Sequence, residues 1–450
     1  MIPTALSAHE YGWVKVADCD SCNEEGYSAD HPHHGALAPL EKRAGESRHP
    51  DEASDTLGLH LGHDRKPTGH WYVGQVWLEE PEAFLRVMPK VGASIFQMYL
   101  ACLGDSQVCP HLHQMIKFYW EQKPIPVDDQ TFCSDITPLL IARYLRVLFE
   151  LCRCHLRVGF HSVEANLLGK VRGRPVIMTQ LRQNVARGRL DRIVCRFQIP
   201  SLDTPVNQIL KAALEQSLKY LRHYSIMESP LCHWASFSYA ALSGVSLKRI
   251  TSQDFKGLHY AGFLKPYREV HQWARLILQL LGYDPLEALS DHKSPALPPF
   301  AIDMNELFER YCEVLLRRNH HYKVWAGYRD HNLEVKFQVH PDFLVADGQN
   351  RWIIDSKYKE NWSWDREDHR ADVYQVVAYS RHKGVLRQLD CLMEHTQESR
   401  TTLVILYPVT SSSSNPEREL DLTGAADGNV LDVFEVKIVK RGIDLPTSRQ

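Results

Sequence analysis

Apolar and polar residues alternate in WYVGQVWL from position 71 and again in FLRVMPKVG, with Gly74 and the stretch from Pro89 to Gly92 as punctuation. A period of two suits half-buried strands, so this part predicts a small β unit. The pattern then lengthens to the three-to-four spacing of amphipathic helices over 94–102, 111–121, 136–157 and 207–221, the last opened by Asp203 and Pro205. The helix PYREVHQWARLILQLLGY closes this middle region near 283, and the Pro-rich DHKSPALPPF at 291–300 reads as a connector. Beyond it the pattern predicts a helix over 303–318, strands near 321–329, 334–345 and 351–358, a helix over 370–383, and strands over 401–407 and 430–440. That order is αβββαββ.

Residues 23–70 carry few large apolar side chains and many His, Asp, Glu, Gly and Pro, a composition that cannot build a core of its own. The expected organisation is therefore a poorly ordered or atypical extension over 1–70, an α+β region of strands and helices over 71–290, and an α/β domain over 291–450. A chain of 450 residues is also longer than one ordinary core supports.

Charge narrows the function classes. The chain has 52 Lys+Arg against 55 Asp+Glu and a net charge of -3, which excludes a uniformly basic nucleic-acid binder and leaves room only for a local patch. One such patch lies at 170–196, where Lys170, Arg172, Arg174, Arg182, Arg187, Arg189, Arg192 and Arg196 face a single acid, Asp191. It predicts a surface for phosphate or for an acidic partner, with a solvated face as the plain alternative. The longest apolar stretch is broken by Arg143, Arg146 and Arg153, so no membrane span is expected. Eleven scattered cysteines and an opening without a secretory signal pattern predict a reducing cytoplasm. Cys19 and Cys22, followed by His31, His33 and His34, have zinc-like spacing without a second CxxC, as do Cys109, His111 and His113 in weaker form.

Chemistry concentrates in HPDFLVADGQNRWIIDSKYKEN at 340–361. Residues two apart in a strand share a face, so Asp355 and Lys357 project together while Ser356 points away. If FLVA and RWIID pair through the turn at Asp347 to Asn350, Asp342 meets them, and two carboxylates converge beside one ammonium. Such carboxylates repel unless neutralised, and Mg²⁺ (or Mn²⁺) is the natural counter-charge for metal-assisted hydrolysis of a phosphodiester. On helix 303–318, Met304, Leu307, Phe308, Tyr311, Cys312 and Leu315 form the expected buried stripe. Glu309 falls just past its edge and is the third candidate ligand; Glu306 and Glu313 are expected further round, toward solvent. Gln375 and Tyr379 lie one helical turn apart and share a face with Asp372.

HPDFLV followed by IIDSKYK, with YQVVAY downstream, resembles the PD-(D/E)xK nuclease superfamily, whose αβββαβ core matches the order above. PPFAIDMNELFERYCEVLLRR, DSKYK and DVYQVVAYS together are similar to the McrC family, the nuclease subunits of McrBC-type modified-cytosine restriction systems. The likeness extends upstream through VMPKVG, GKVRGRPVIMTQLRQNVARGRLDRIVCRF and DTPVNQILKAAL, covering roughly 71–440. It implies metal ligation by Asp342, Asp355 and Glu309, Lys357 as the catalytic lysine, and Gln375 with Tyr379 as a supporting QxxxY motif. It further implies a Mg-dependent DNA endonuclease acting with an AAA+ GTPase of McrB type, with dimerisation for double-strand cleavage. The absence of GxxxxGK[ST] from this sequence agrees with a motor supplied by another chain. Two alternatives compete: a catalytically silent scaffold that stimulates a partner NTPase, and a RecB-like nuclease with an iron–sulfur cluster. The second is disfavoured because only Cys391 follows the motif.

Overall fold

The computed structural model describes residues 4–9, 15–16, 60–61, 67–68, 71–80, 83–89, 94–126, 130–154, 156–224, 226, 229–281, 296–327, 340–359, 362–392, 401–409, 420–423, 430–433 and 436–446. Cys19, Cys22, His31, His33 and His34 lie outside the described residues, as does the 334–339 part of an expected strand. The chain forms two compact units, Met1–Val127 with Ala296–Gln450, and Asp128–Pro295. This division differs from the boundary expected at 291.

The cause is a short strand inside the supposed connector. Phe300–Asp303 pairs antiparallel with Tyr72–Glu79 on one side and with Ile116–Phe118 on the other. The prolines before it read as a break, yet a strand tolerates proline at its start. Residues 71–126 thus complete their sheet with residues that follow the helical middle. The sheet runs Lys15–Val16, Thr4–His9, Ala83–Met88, Tyr72–Glu79, Phe300–Asp303, Ile116–Phe118. Thr4–His9 lies parallel to Ala83–Met88. Gly74 sits within the strand, where a Cβ would come 2.1 Å from the Phe300 carbonyl oxygen, so only glycine lets the two backbones approach. The helix expected over 111–121 is instead a 3₁₀ turn, Cys109–Gln114, followed by the strand Ile116–Phe118. Partners distant in sequence claim that segment for the sheet, which local periodicity could not signal.

The remainder of this unit follows the expected order through the helix Arg370–Arg381, then departs from it: a second helix precedes the next strand, and the single strand expected over 430–440 is two antiparallel strands. Helix α1 (Met304–Arg318) precedes β1 (Lys323–Ala326), β2 (Phe343–Ala346) and β3 (Arg351–Ser356). Helices α2 (Arg370–Arg381) and α3 (Lys383–Leu392) follow, then β4 (Thr401–Val409), β5 (Val430–Val433) and β6 (Val436–Asp444). The strand order is β1-β2-β3-β4-β6-β5. The first three form an antiparallel meander, while β3–β4 and β4–β6 are parallel. A parallel pair needs a crossover, and α2 with α3 supplies it between β3 and β4. Every residue of β2 is buried, as in a strand covered on both faces. On one face Leu344, Ile353, Leu403 and Ile405 pack with Val376 and Tyr379 of α2 and Val385 and Leu389 of α3. The buried stripe of α1 contains the expected Met304, Leu307, Phe308, Tyr311, Cys312 and Leu315, and is wider, because Ile95–Gly104 packs on α1 as well as β1 and β3. Glu313, expected toward solvent, is 0% exposed.

The second unit is built on helices Gln130–Cys154, Pro205–His223, Ser229–Ala241 and Tyr267–Leu281, which pack against one another. A three-stranded antiparallel sheet joins Arg174–Pro175, Arg192–Ser201 and Gly159–Leu168. Among the described residues no helix is long and apolar enough to cross a membrane.

Candidate active site

The site begins with the register of one hairpin. Phe343 pairs with Ile354 and Leu344 with Ile353, so one further step sets Asp342 opposite Asp355. Cross-strand neighbours of this kind stand about 4.5–5.5 Å apart at Cβ. The turn is secured by Asp347, whose Oδ1 accepts from the Gln349 and Asn350 amides at 2.9 and 2.6 Å, with Gly348 at φ +88°. Asp355 shares its face with Ile353, which lies under α2 and α3. Helix α2 therefore overhangs both carboxylates.

Asp342 Oδ2 accepts from the Ser356 amide and from its hydroxyl, each at 2.6 Å. Ser356, expected to point away, is thus the residue that holds Asp342 in place. Asp355 is 1% exposed, and its Oδ2 stands 2.7 Å from Lys357 Nζ. That oxygen makes no hydrogen bond of good angle, so the ion pair alone compensates it. Burial pushes the Asp355 carboxyl pKa up, the charge of Asp342 pushes it further, and Lys357 opposes both. Glu309 on α1 is likewise raised, by burial first and then by Asp342, against the pull of Arg310. Arg310 Nη1 donates to Glu309 Oε1 at 2.7 Å. Asp342 acts on both other carboxylates, so the three share one field.

Lys357 carries the compensating charge. Burial works to lower the pKa of its ammonium, but Asp355 and then Asp342 outweigh it, and the net shift is upward. Its Nζ also donates to Gln375 Oε1 at 3.0 Å. Gln375 Nε2 donates to the Tyr379 hydroxyl at 2.6 Å, and that hydroxyl hydrogen-bonds Asp355. Asp355, Lys357, Gln375 and Tyr379 therefore close a ring of polar contacts. One helical turn between Gln375 and Tyr379 is what lets both reach the same strand end. Burial, followed by Asp355 and Asp342, raises the Tyr379 pKa, so it stays a hydrogen-bond donor.

Among the described residues no three of His, Cys, Asp or Glu are already gathered as a closed metal cage. The donor set nevertheless fits a hard cation. Mg²⁺ keeps several waters and takes one or two carboxylates, and the raised proton affinity of buried Asp355 and half-buried Glu309 marks a shortage of positive charge. Asp342, Asp355 and Glu309 are the residues that would hold it. Sequence reasoning passed over Lys359, whose Nζ binds Asp372 Oδ2 at 2.8 Å beside this ring; its position two residues beyond Lys357 was the available signal.

The basic residues of 172–192 lie in the other unit. Arg172 rests over the Phe197 ring at 4.4 Å, Arg174 begins the strand Arg174–Pro175, and Arg182 is on helix Ile177–Gln183. Arg187 ends the 3₁₀ turn Val185–Arg187, Arg189 follows it, and Arg192 opens Arg192–Ser201. Beside them Ile177, Met178 and Leu190 are 70%, 71% and 78% exposed, an apolar component that charge counting had not registered.

The family described as McrBC 5-methylcytosine restriction system component matches residues 68–389. The chain belongs to that family. The matched span contains Glu309, Asp342, Asp355, Lys357, Gln375 and Tyr379 as well as the basic segment. Among solved structures, the chain is similar to a half-complex from a tetradecameric assembly of Thermococcus gammatolerans McrB AAA+ hexamers with bound McrC, at 17% identity and TM-score 0.38, over 98% of this chain and 95% of that one. It is also similar to the cryo-EM structure of the Thermococcus gammatolerans McrBC complex, at 16% identity and TM-score 0.31, over 70% and 88% of the two chains. No curated protein matches.

Proposed function

We propose that this chain is the DNA endonuclease subunit of a McrBC-like restriction system, with a PD-(D/E)xK-type site that cuts phosphodiester bonds when an AAA+ GTPase of McrB type drives it. The observation that carries the reading is the meeting of Asp342, Asp355 and Lys357 at one hairpin end, closed by Gln375 and Tyr379 and faced by Glu309. Asp342, Asp355 and Glu309 would hold Mg²⁺ or Mn²⁺, which would supply Lewis-acid polarisation of the phosphoryl oxygen. Lys357, its charged form favoured by Asp355 and Asp342, stabilises negative charge growing on the phosphate and orients the attacking water. Gln375 accepts from Lys357 and so fixes where that charge points. Tyr379 keeps Asp355 from turning away.

Family membership supports a McrB-type GTPase as partner, and the solved Thermococcus assemblies hold McrC bound to McrB AAA+ hexamers. The basic and apolar surface of the 128–295 unit suits a protein partner, since interface cores favour Arg, Met and apolar side chains over Lys and acids. One site cuts one strand, so double-strand cleavage calls for two copies of the chain. We place its action in the cytoplasm.

The test combines the full chain, a McrB-type partner, GTP, Mg²⁺ and either methylated or unmethylated DNA. Cleavage that requires partner and metal, and is lost in Asp355→Asn, supports the nuclease reading. Stimulated GTP hydrolysis without any cleavage would make the chain a scaffold.

A further inference from the structure

Lys357 follows β3 and Gln375 lies on α2, so the contact between them depends on how the strand end and the helix are tied together. The structure shows such a tie. Asp372, in the first turn of α2 and 5% exposed, accepts from Lys359 Nζ with both oxygens, at 2.9 and 2.8 Å. Its Oδ2 also accepts from Trp362 Nε1 at 2.9 Å. Trp362 in turn lies flat on His369, ring centres 5.3 Å apart and planes 4° apart. His369 is the N-cap residue immediately before α2, and its Nδ1 accepts from the Ser363 amide at 3.1 Å. Asp372 is therefore bound to two points on the loop that leaves the active-site strand, while sitting on the helix that brings Gln375 and Tyr379.

We propose that Asp372, clamped by Lys359 and Trp362, is a positioning residue that holds Lys357 and Gln375 in register. The inference rests on the nuclease reading above for its effect on cleavage. Lys359 neutralises Asp372, so a fourth carboxylate stands near Asp355 without competing for the cation those carboxylates attract. The Lys359 amide donates to the Lys357 carbonyl at 2.7 Å and the Lys357 amide to the Leu406 carbonyl at 2.8 Å, so a pull on Lys359 is transmitted to the backbone of Lys357. Gln375 lies three residues after Asp372, nearly one helical turn along. Loss of the clamp frees both ends of the 3.0 Å contact between Lys357 Nζ and Gln375 Oε1.

The experiment uses the full chain with its GTPase partner, GTP, Mg²⁺ and DNA, in wild type, Asp372→Asn, Lys359→Met and the double variant, with Asp355→Asn as the inactive reference. Asparagine retains shape and can still accept from Trp362, and Lys359 is partly exposed, so the second substitution breaks the clamp without touching the buried carboxylate. In each single variant kcat is expected to fall roughly tenfold or more with KM for DNA unchanged, and the double variant to lose no more than the worse single, because one unit has been broken. Hydrogen exchange across 357–369 is expected to quicken in the same variants while the 128–295 unit is unchanged. A raised KM at constant kcat would overturn the proposal by making the pair a DNA contact; additive losses, or exchange unchanged in both variants, would overturn it as well. If wild type does not cut DNA, the nuclease reading fails, and hydrogen exchange still decides the clamp.

Discussion

At the scale of residues, Asp355 is the most tightly constrained member of the site: 1% exposed, 2.7 Å from Lys357 and repelled by Asp342. Asp355→Asn and Lys357→Ala are each expected to lower cleavage by roughly 100-fold or more, the scale of losing a group that stabilises developing charge, without unfolding the protein, and the asparagine variant relieves like-charge crowding. Cleavage rates beside melting temperatures check this, and retained cutting by either variant would remove the site assignment. Gly327 presents a steric case. Its amide donates to the Asp342 carbonyl, and a Cβ there would come 2.4 Å from the Pro341 carbonyl oxygen. Gly327→Ala should cost about 1–3 kcal/mol and, by shifting the segment that carries Asp342, reduce cleavage beyond what the stability loss explains. His271 tests the other unit. It is 1% exposed, with Nε2 donating to the Val206 carbonyl and Nδ1 facing the Tyr260 hydroxyl. Burial lowers its pKa from 6.5 to about 4. The unfolded chain therefore binds the proton first as pH falls. The stability associated with neutral His271 is complete above pH 6.5 and is lost as pH drops toward 4, by about 3 kcal/mol at 1.36 kcal/mol per unit. Chemical denaturation between pH 7 and 4 should show a shallower acid dependence in His271→Gln than in wild type; identical slopes would contradict the assignment.

At the scale of elements, the hairpin β2–β3 and helix α2 make the site together. The hairpin alone aligns Asp342, Asp355 and Lys357, and α2 lays Gln375 and Tyr379 across them. Gln375→Ala removes a hydrogen bond to a charged partner, worth about 1.5–3 kcal/mol, so cleavage should fall roughly 10- to 100-fold, while Tyr379→Phe loses the link to Asp355 with its packing in the core kept. A comparison of kcat in the two variants tests whether the ring acts as a unit. The order helix, three strands, helix, strands was legible because each element has a clean period and polar punctuation. The strand Phe300–Asp303 and the turn at 109–114 were not. Phe300–Asp303 and the strand Ile116–Phe118 that follows the turn pair with each other across most of the helical middle, and a four-residue strand behind two prolines carries no period to read.

At the scale of the whole molecule, the carboxylates and the basic, apolar surface lie in different compact units. Asp355→Asn should therefore abolish cleavage while leaving stimulation of the partner's GTP hydrolysis intact. Reversing Arg187, Arg189 and Arg192 to glutamate should do the converse, weakening association in a salt-dependent way because exposed charges are screened. Parallel assays of GTP turnover and cleavage at two salt concentrations would separate these outcomes, and stimulation that vanishes with Asp355→Asn would refute the division of labour.

The sequence by itself determined the identity and order of the chemical groups: Asp342 before FLVA, Asp355 and Lys357 two apart on a strand, Gln375 and Tyr379 one turn apart on a helix. Those spacings translate directly into shared faces through the fixed periods of strand and helix. Only the tertiary structure decided that Ser356 turns back to hold Asp342, that Glu313 is buried, that Lys359 and Asp372 join across a loop, and that residues after the helical insertion complete the first sheet. Each of these is a contact between segments whose separation along the chain carries no periodic signal, so packing alone could reveal it.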